Sequence, residues 1–231
     1  MGLLDGKVVV ITGAGSGLGK ETAILLAKEG AHLALCGRKV DKMELMENEL
    51  GNPEKHLIQT ADVSKEEEVA SFIAAIEEKF GKVDVLINNA AVFESYFIAD
   101  TTLDSWNYHL NNNVTSAFLM TRGCIPLMRK QKSGKIISLT SSLAMTGAAG
   151  FGAYSASKAA LQVLMSSVDD EEASNGIEAF SFEPGVMKSN LQGSGVHPSA
   201  VAPHLLSLVL TNQKFSGQVV NTSQVKRVVV E

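Results

Sequence analysis

The apolar positions of this chain follow two alternating rhythms. Lys7–Thr12 (KVVVIT) is a short β-branched run without polar alternation, the pattern of a strand buried on both faces of a parallel sheet. Comparable runs recur at His32–Cys36, Lys55–Ala61, Val83–Ile87, Lys135–Leu139, Ile177–Phe182 and Gln218–Asn221. Stretches of helical spacing lie between them. In the clearest, Val69, Phe72, Ile73, Ile76 and Phe80 fall at i, i+3, i+4, i+7 and i+11, a stripe that Gly81 ends. Ser64 with Glu67 reads as a capping box at its start. Further helices are expected near Leu18–Lys28, Val40–Leu50, Leu103–Lys130, Tyr154–Ser174 and Val201–Leu210, the third irregular around Asn111–Asn113 and Pro126. Strand and helix alternate throughout. The pattern predicts an α/β fold, a single-domain doubly wound parallel sheet of about seven strands with helices on both faces.

Composition narrows the class without changing that picture. A chain of 231 residues suits one α/β domain, residues 1–231, with no linker or repeat. Its net charge of −5 and lack of a basic block argue against nucleic acid or an anionic membrane as partner. Cys36 and Cys124 form no disulfide framework and read as buried free thiols of a reducing compartment. The N-terminal MGLLDGK has no basic segment ahead of a long apolar one, and no run nears the ~18 apolar residues that span a bilayer. A cytoplasmic protein is expected. The histidines at 32, 56, 109, 197 and 204 lack metal-ligand spacing, so they read as surface or packing residues and no metal is expected. Asp169–Glu172 reads as a solvated helix face.

Two stretches carry candidate chemistry. Gly13-x-x-x-Gly17-x-Gly19 follows the first strand and opens a helix. It departs from the G-x-G-x-x-G fingerprint, which would need glycine at Leu18. Its glycines still permit a tight turn, and a helix N-terminus offers amides and positive dipole to a pyrophosphate. Tyr154 and Lys158 lie four residues apart and share a helix face. An ammonium near a phenol favours the phenolate, so Lys158 is expected to lower the Tyr154 pKa and ready it for proton transfer.

In company, these residues resemble the short-chain dehydrogenase/reductase family over nearly the whole chain. The run TGAGSGLG (Thr12–Gly19) has its glycine spacing, and Asp62-Val63 resembles its adenine contact. Asn88-Asn89-Ala90 resembles its NNAG motif, and Pro184-Gly185 its motif after strand six. Ser141 stands thirteen residues before Tyr154, and Asn113 seven past Trp106, as the family spaces its catalytic serine and asparagine. The resemblance implies a Rossmann-like fold and reversible hydride transfer between a nicotinamide and a carbonyl/alcohol pair. It implies Tyr154 as proton donor, Lys158 as ribose anchor, Ser141 as the group polarising the carbonyl, and Asn113 as holder of a water that links Lys158 to solvent. Ser142 is the fallback for the serine. The implied cofactor residues are Gly13, Gly15, Ser16, Gly17, Leu18, Gly19, Arg38, Asp62, Val63, Asn89, Ala90, Tyr154, Lys158, Pro184, Gly185 and Val186.

The second strand ends Cys36-Gly37-Arg38-Lys39, with no acidic residue before Asp41, which favours NADP(H) over NAD(H). Arg38 suits a bidentate phosphate contact, although Ser16 stands where the family often has a second basic residue. Residues 186–203, including Met187 and Leu191, are expected to form a short substrate loop. Phe93, Tyr96 and Phe97 line an apolar substrate pocket or pack in the core. The chain departs from the family pattern at Ala91, Ser138 and Glu183. The resemblance also implies a homodimer or homotetramer packed through the 103–130 and 154–174 helices. A 3-oxoacyl-thioester reductase is one form of the activity. A nucleotide-binding sensor or scaffold without turnover is the alternative.

Overall fold

The computed structural model describes residues 2–188 and 193–225. Among these residues seven strands form one sheet: β1 (Val8–Thr12), β2 (His32–Gly37), β3 (His56–Thr60), β4 (Val85–Asn88), β5 (Gly134–Leu139), β6 (Ile177–Glu183) and β7 (Val219–Asn221). Their order is β3-β2-β1-β4-β5-β6-β7, and every pairing is parallel. Central strands bury both faces, as their sequence requires. Val9, Val10 and Ile11 of β1 have no exposed surface.

The helices are α1 (Gly17–Lys28), α2 (Val40–Leu50), α3 (Glu66–Phe80), α4 (Leu103–Leu110), α5 (Ser116–Gln131), α6 (Leu143–Thr146), α7 (Gly152–Glu172) and α8 (Pro198–Leu210). They divide between two apolar layers. Leu18, Leu26, Met43, Met46 and Leu205 cover one face of the sheet, and Phe72, Ile76, Met120, Leu161 and Met165 cover the other. Predicted elements match observed ones to within a few residues. The expected irregularity is a π-helical segment, Asn111–Thr115, between α4 and α5. The α8 helix begins earlier than expected because Pro198 suits a first helical position and His197 caps it.

Two expectations fail. Ser64 does not cap α3, which starts at Glu66 with Lys65 at the N-cap. The Ser64 N–H and Oγ both donate to Asp62 Oδ1, at 3.0 and 2.7 Å, because a carboxylate two residues away outcompetes a neutral hydroxyl–amide contact. Nor is Asp169–Glu172 a wholly solvated face. Glu172 is buried, and Arg129 on α5 pairs with it, Nε donating to Oε2 at 2.8 Å. That hydrogen bond holds the Glu172 carboxyl below its usual range. Asp169 accepts from the Ala179 amide at 2.9 Å and ties α7 to β6. A charge run read as solvated thus anchors the helix that carries Tyr154.

Cys36 and Cys124 are free and buried, and burial pushes both thiols up, Cys124 to about 12. No helix among the described residues is long and apolar enough to cross a membrane.

Candidate active site

In an open parallel sheet a crevice forms where the chain leaves neighbouring strands in opposite directions. Here β1 leads towards β2 and β4 towards β5, so the crevice opens between β1 and β4. Thr12 and Asn89 stitch its floor. Thr12 Oγ1 accepts from the amides of Asn89 (3.1 Å) and Ala90 (3.0 Å). Asn89 Nδ2 donates to the carbonyls of Thr12 (2.9 Å) and Gly13 (3.2 Å).

That stitch explains the glycines above it. Gly13 has φ +66°, and a Cβ there would lie 2.9 Å from the Ala90 Cα. A Cβ on Gly19 would lie 2.5 Å from Asn89 Nδ2 and 2.6 Å from the Gly13 carbonyl oxygen. Gly19→Ala is therefore expected to cost about 2–3 kcal/mol, as overpacking does in a tight core. A thermal melt coinciding with that of the unsubstituted protein would show that the turn relaxes instead. The first turn of α1 holds no acidic residue, and the Ser16 side chain makes no capping bond. Helix amides and dipole thus face the crevice, which fits a pyrophosphate.

The crevice widens into a cavity of about 910 Å³. Gly13, Gly15, Ser16, Gly17 and Leu18 form one wall. Arg38 follows at the end of β2, with Asp62 and Val63 after β3 and Asn89 and Ala90 after β4. Ser141, Tyr154, Lys158, Pro184, Gly185 and Val186 complete the far end. Among the expected site residues, Gly19 and Asn113 are not on the wall. Gly19 lies behind the turn, and Asn113 is buried.

Tyr154 and Lys158 lie on the first two turns of α7. Phe151 precedes the helix, and its ring stacks on Phe93 with centroids 5.1 Å apart. The Tyr154 ring meets Phe93 edge-on at 5.4 Å, so the phenol stands against an aromatic wall. Burial raises the Tyr154 pKa, and the neighbouring Ser141 hydroxyl draws it partly back. This corrects the expected lowering by Lys158. The lysine Nζ lies 5.8 Å from the tyrosine ring centroid and instead donates to the Leu139 carbonyl at 2.7 Å. Lys158 is itself 2% exposed, and burial pulls its pKa down to about 8.

Asn113 sits in the π segment with its side chain fully engaged. Its Oδ1 accepts from the Val92 amide at 2.8 Å, and its Nδ2 donates to the Val92 carbonyl (3.1 Å) and Ser157 Oγ (3.0 Å). It therefore clamps the segment after β4 onto α7. Ser138, the departure at β5, is buried and accepts from Asn88 Nδ2 at 3.1 Å. Glu183 Oε1 accepts from the Gly185 amide at 3.1 Å, and the residue lines the cavity, as does Ala91. Phe93 lines the cavity too, whereas Tyr96 and Phe97 are exposed. In the substrate-loop region a parallel bridge joins Met187 to Val196, and Leu191 lies outside the described residues.

Sequence reasoning missed several wall residues. Lys39 and Lys42 stand beside Arg38, a position readable from their adjacency to the end of β2. Asn112 also lines the cavity, and only its place in the Asn111–Asn113 run marked it.

A family model described as short chain dehydrogenase matches residues 7–200. An uncharacterized oxidoreductase of Staphylococcus aureus is 34% identical over 187 residues, covering 81% of this chain and 80% of that protein. One from Staphylococcus saprophyticus is 36% identical over 199 residues, covering 86% and 76%. A Brucella melitensis short-chain dehydrogenase/reductase of the glucose/ribitol dehydrogenase type superposes with a TM-score of 0.87 at 21% identity, covering 96% of this chain and 97% of that one. A 3-ketoacyl-(acyl-carrier-protein) reductase from the same organism, complexed with NADH, superposes with a TM-score of 0.87 at 25% identity, covering 94% and 97%.

Proposed function

The chain belongs to the short-chain dehydrogenase/reductase family of oxidoreductases, and from that premise we propose that it is an NADP(H)-dependent enzyme interconverting a carbonyl and an alcohol. The family uses NAD(H) or NADP(H). One observation carries the reading. Tyr154, Ser141 and the buried Lys158 share a single cavity with the glycine turn of α1.

When bound, the nicotinamide supplies or receives the hydride. The turn at Gly13–Gly19 and the N-terminus of α1 bind the pyrophosphate. Ser141 donates a hydrogen bond to the substrate carbonyl oxygen and polarises it. Tyr154 gives its proton to that oxygen as negative charge develops there, and in the reverse direction takes it back. Lys158, mostly protonated at neutral pH despite its lowered pKa, donates to the Leu139 carbonyl at the cavity wall and is the group that would anchor the nicotinamide ribose. Asn113 holds α7 in register with the segment after β4. Phe93 and Phe151 exclude water from the reacting carbonyl and fit an apolar substrate. A 3-oxoacyl thioester is one such substrate, in keeping with the Brucella melitensis reductase at 25% identity.

Arg38, Lys39 and Lys42 place three cations at the adenosine end of the cavity, which favours a ribose 2′-phosphate. Lys42 packs its Cβ against Gly15, where an added methyl would meet it at 2.7 Å, beside the loop in which Ser16 is neutral. NADPH is expected to bind at least about tenfold more tightly than NADH, roughly 1.4 kcal/mol. Fluorescence titration with both nucleotides checks this, and equal affinities would refute the preference.

Exposed Leu103, Tyr108 and Phe118 on α4 and α5, with Val163 on α7, support a homo-oligomer packed through those helices. NADPH oxidation measured against ketones, quinones and acetoacetyl thioesters tests the activity. Silence across that panel with tight NADPH binding would favour a sensor or scaffold.

A further inference from the structure

Arg38 leaves the end of β2, and its Nη1 donates to Asn112 Oδ1 at 3.2 Å. The contact joins the β2 side of the cavity to the π segment, 74 residues away in sequence. The Asn112 amide is itself oriented, since its Nδ2 donates to the Tyr108 carbonyl at 2.9 Å. A flipped amide would point hydrogen atoms at a guanidinium that can only donate. Ser116 Oγ donates to the Asn112 carbonyl at 2.6 Å and fixes the backbone beneath. Arg38 and Asn112 line the cavity with Asp62, Val63 and Lys42.

We propose that Asn112 is a positioning residue for cofactor specificity, holding the Arg38 guanidinium at the adenosine end of the cavity so that its remaining N–H groups meet a ribose 2′-phosphate. The proposal rests on the NADP(H) reading above. A guanidinium has five N–H donors in a rigid fork, so the bond to Asn112 leaves a bidentate edge free. An exposed arginine without a tether loses rotamer freedom each time it closes on a ligand, whereas Asn112 restricts it beforehand. Because the tether is neutral, it does not compete for the positive charge. Among the described residues no carboxylate forms an ion pair with Arg38.

The test compares Asn112→Ala, Asn112→Asp and Arg38→Ala in the full chain, titrated with NADPH, NADH, 2′,5′-ADP and 5′-AMP. Asn112→Ala is expected to weaken NADPH and 2′,5′-ADP by roughly three- to tenfold, the scale of one immobilised side chain, while NADH and 5′-AMP serve as unmoved controls. Asn112→Asp should weaken the phosphorylated pair further, because its carboxylate neutralises Arg38 and repels the phosphate. In an Arg38→Ala background, Asn112→Ala should leave the NADPH-to-NADH ratio untouched. Equal losses for both nucleotides, no loss, or a gain for NADPH would each overturn the proposal. If Arg38→Ala collapses the ratio and Asn112→Ala does not, the positioning role alone fails. If Arg38→Ala leaves the ratio unchanged, the 2′-phosphate reading fails and takes the proposal with it.

Discussion

Replacing Tyr154 with phenylalanine is expected to lower kcat by roughly 10²–10⁴-fold, the range assigned to a positioned general acid. NADPH affinity should barely move. The substitution removes one hydroxyl and keeps the ring that packs edge-on against Phe93. Packing at the start of α7 is thereby preserved, and a loss of rate cannot be assigned to a collapsed site. Steady-state reduction of whichever carbonyl the panel identifies, with NADPH titration of the same preparation, separates the two quantities. A variant retaining most of its rate would remove Tyr154 from the mechanism. Loss of rate together with loss of NADPH binding would point to structural damage.

The second large effect concerns Lys158 and runs in opposite directions for activity and stability. Its ammonium is buried and bonded to one carbonyl, that of Leu139. Burial lowers its pKa from 10.5 to about 8. Between these values the unfolded chain binds the proton and the folded chain does not, so stability rises with pH across this window. Below pH 8 the full penalty of burying the charge is present, on the order of 3 kcal/mol at ~1.36 kcal/mol per unit. Lys158→Met keeps the length and apolar stem and removes the charge. Allowing about 1 kcal/mol for the donor lost by Leu139, the variant should be more stable than the parent by about 1–2 kcal/mol at pH 7. The two should converge as pH rises towards 10, while kcat falls by roughly 10²-fold or more. Urea denaturation at several pH values measures the first effect. A variant less stable at neutral pH would show that the buried ammonium is not under strain.

The opposing signs bear on what could be read before the fold was known. Strands were legible because runs such as Val8–Thr12 are apolar without alternation, and burial in a parallel sheet leaves that mark directly in the residues. Tyr154, Lys158, Ser141 and the glycine turn were legible because their spacing is local or shared with a family. The direction of the Tyr154 shift was not, because desolvation depends on Phe93, which arrives from a distant segment. Glu172 looked solvated for the same reason, since its partner Arg129 lies 43 residues away. Ser64 failed as a cap because Asp62, two residues upstream, took its hydrogen bonds, a competition that a motif rule does not weigh. Asn112 faces Arg38 only because two segments of the fold meet there.

The π segment at Asn111–Thr115 also sets the phase of the long helical rod on either side of it. Each residue of an α-helix advances by about 100°, so one inserted position acts as an indexing tooth between α4 and α5. Asn112 and Asn113, adjacent in the chain, reach in different directions, one towards the cofactor cavity and the other towards α7. Deleting a single residue there would close the bulge into regular α-helix and take Asn112 and Asn113 out of the positions from which they reach Arg38 and Ser157. The rod's length is thus under stricter control than its composition, and its neighbouring asparagines cannot trade places.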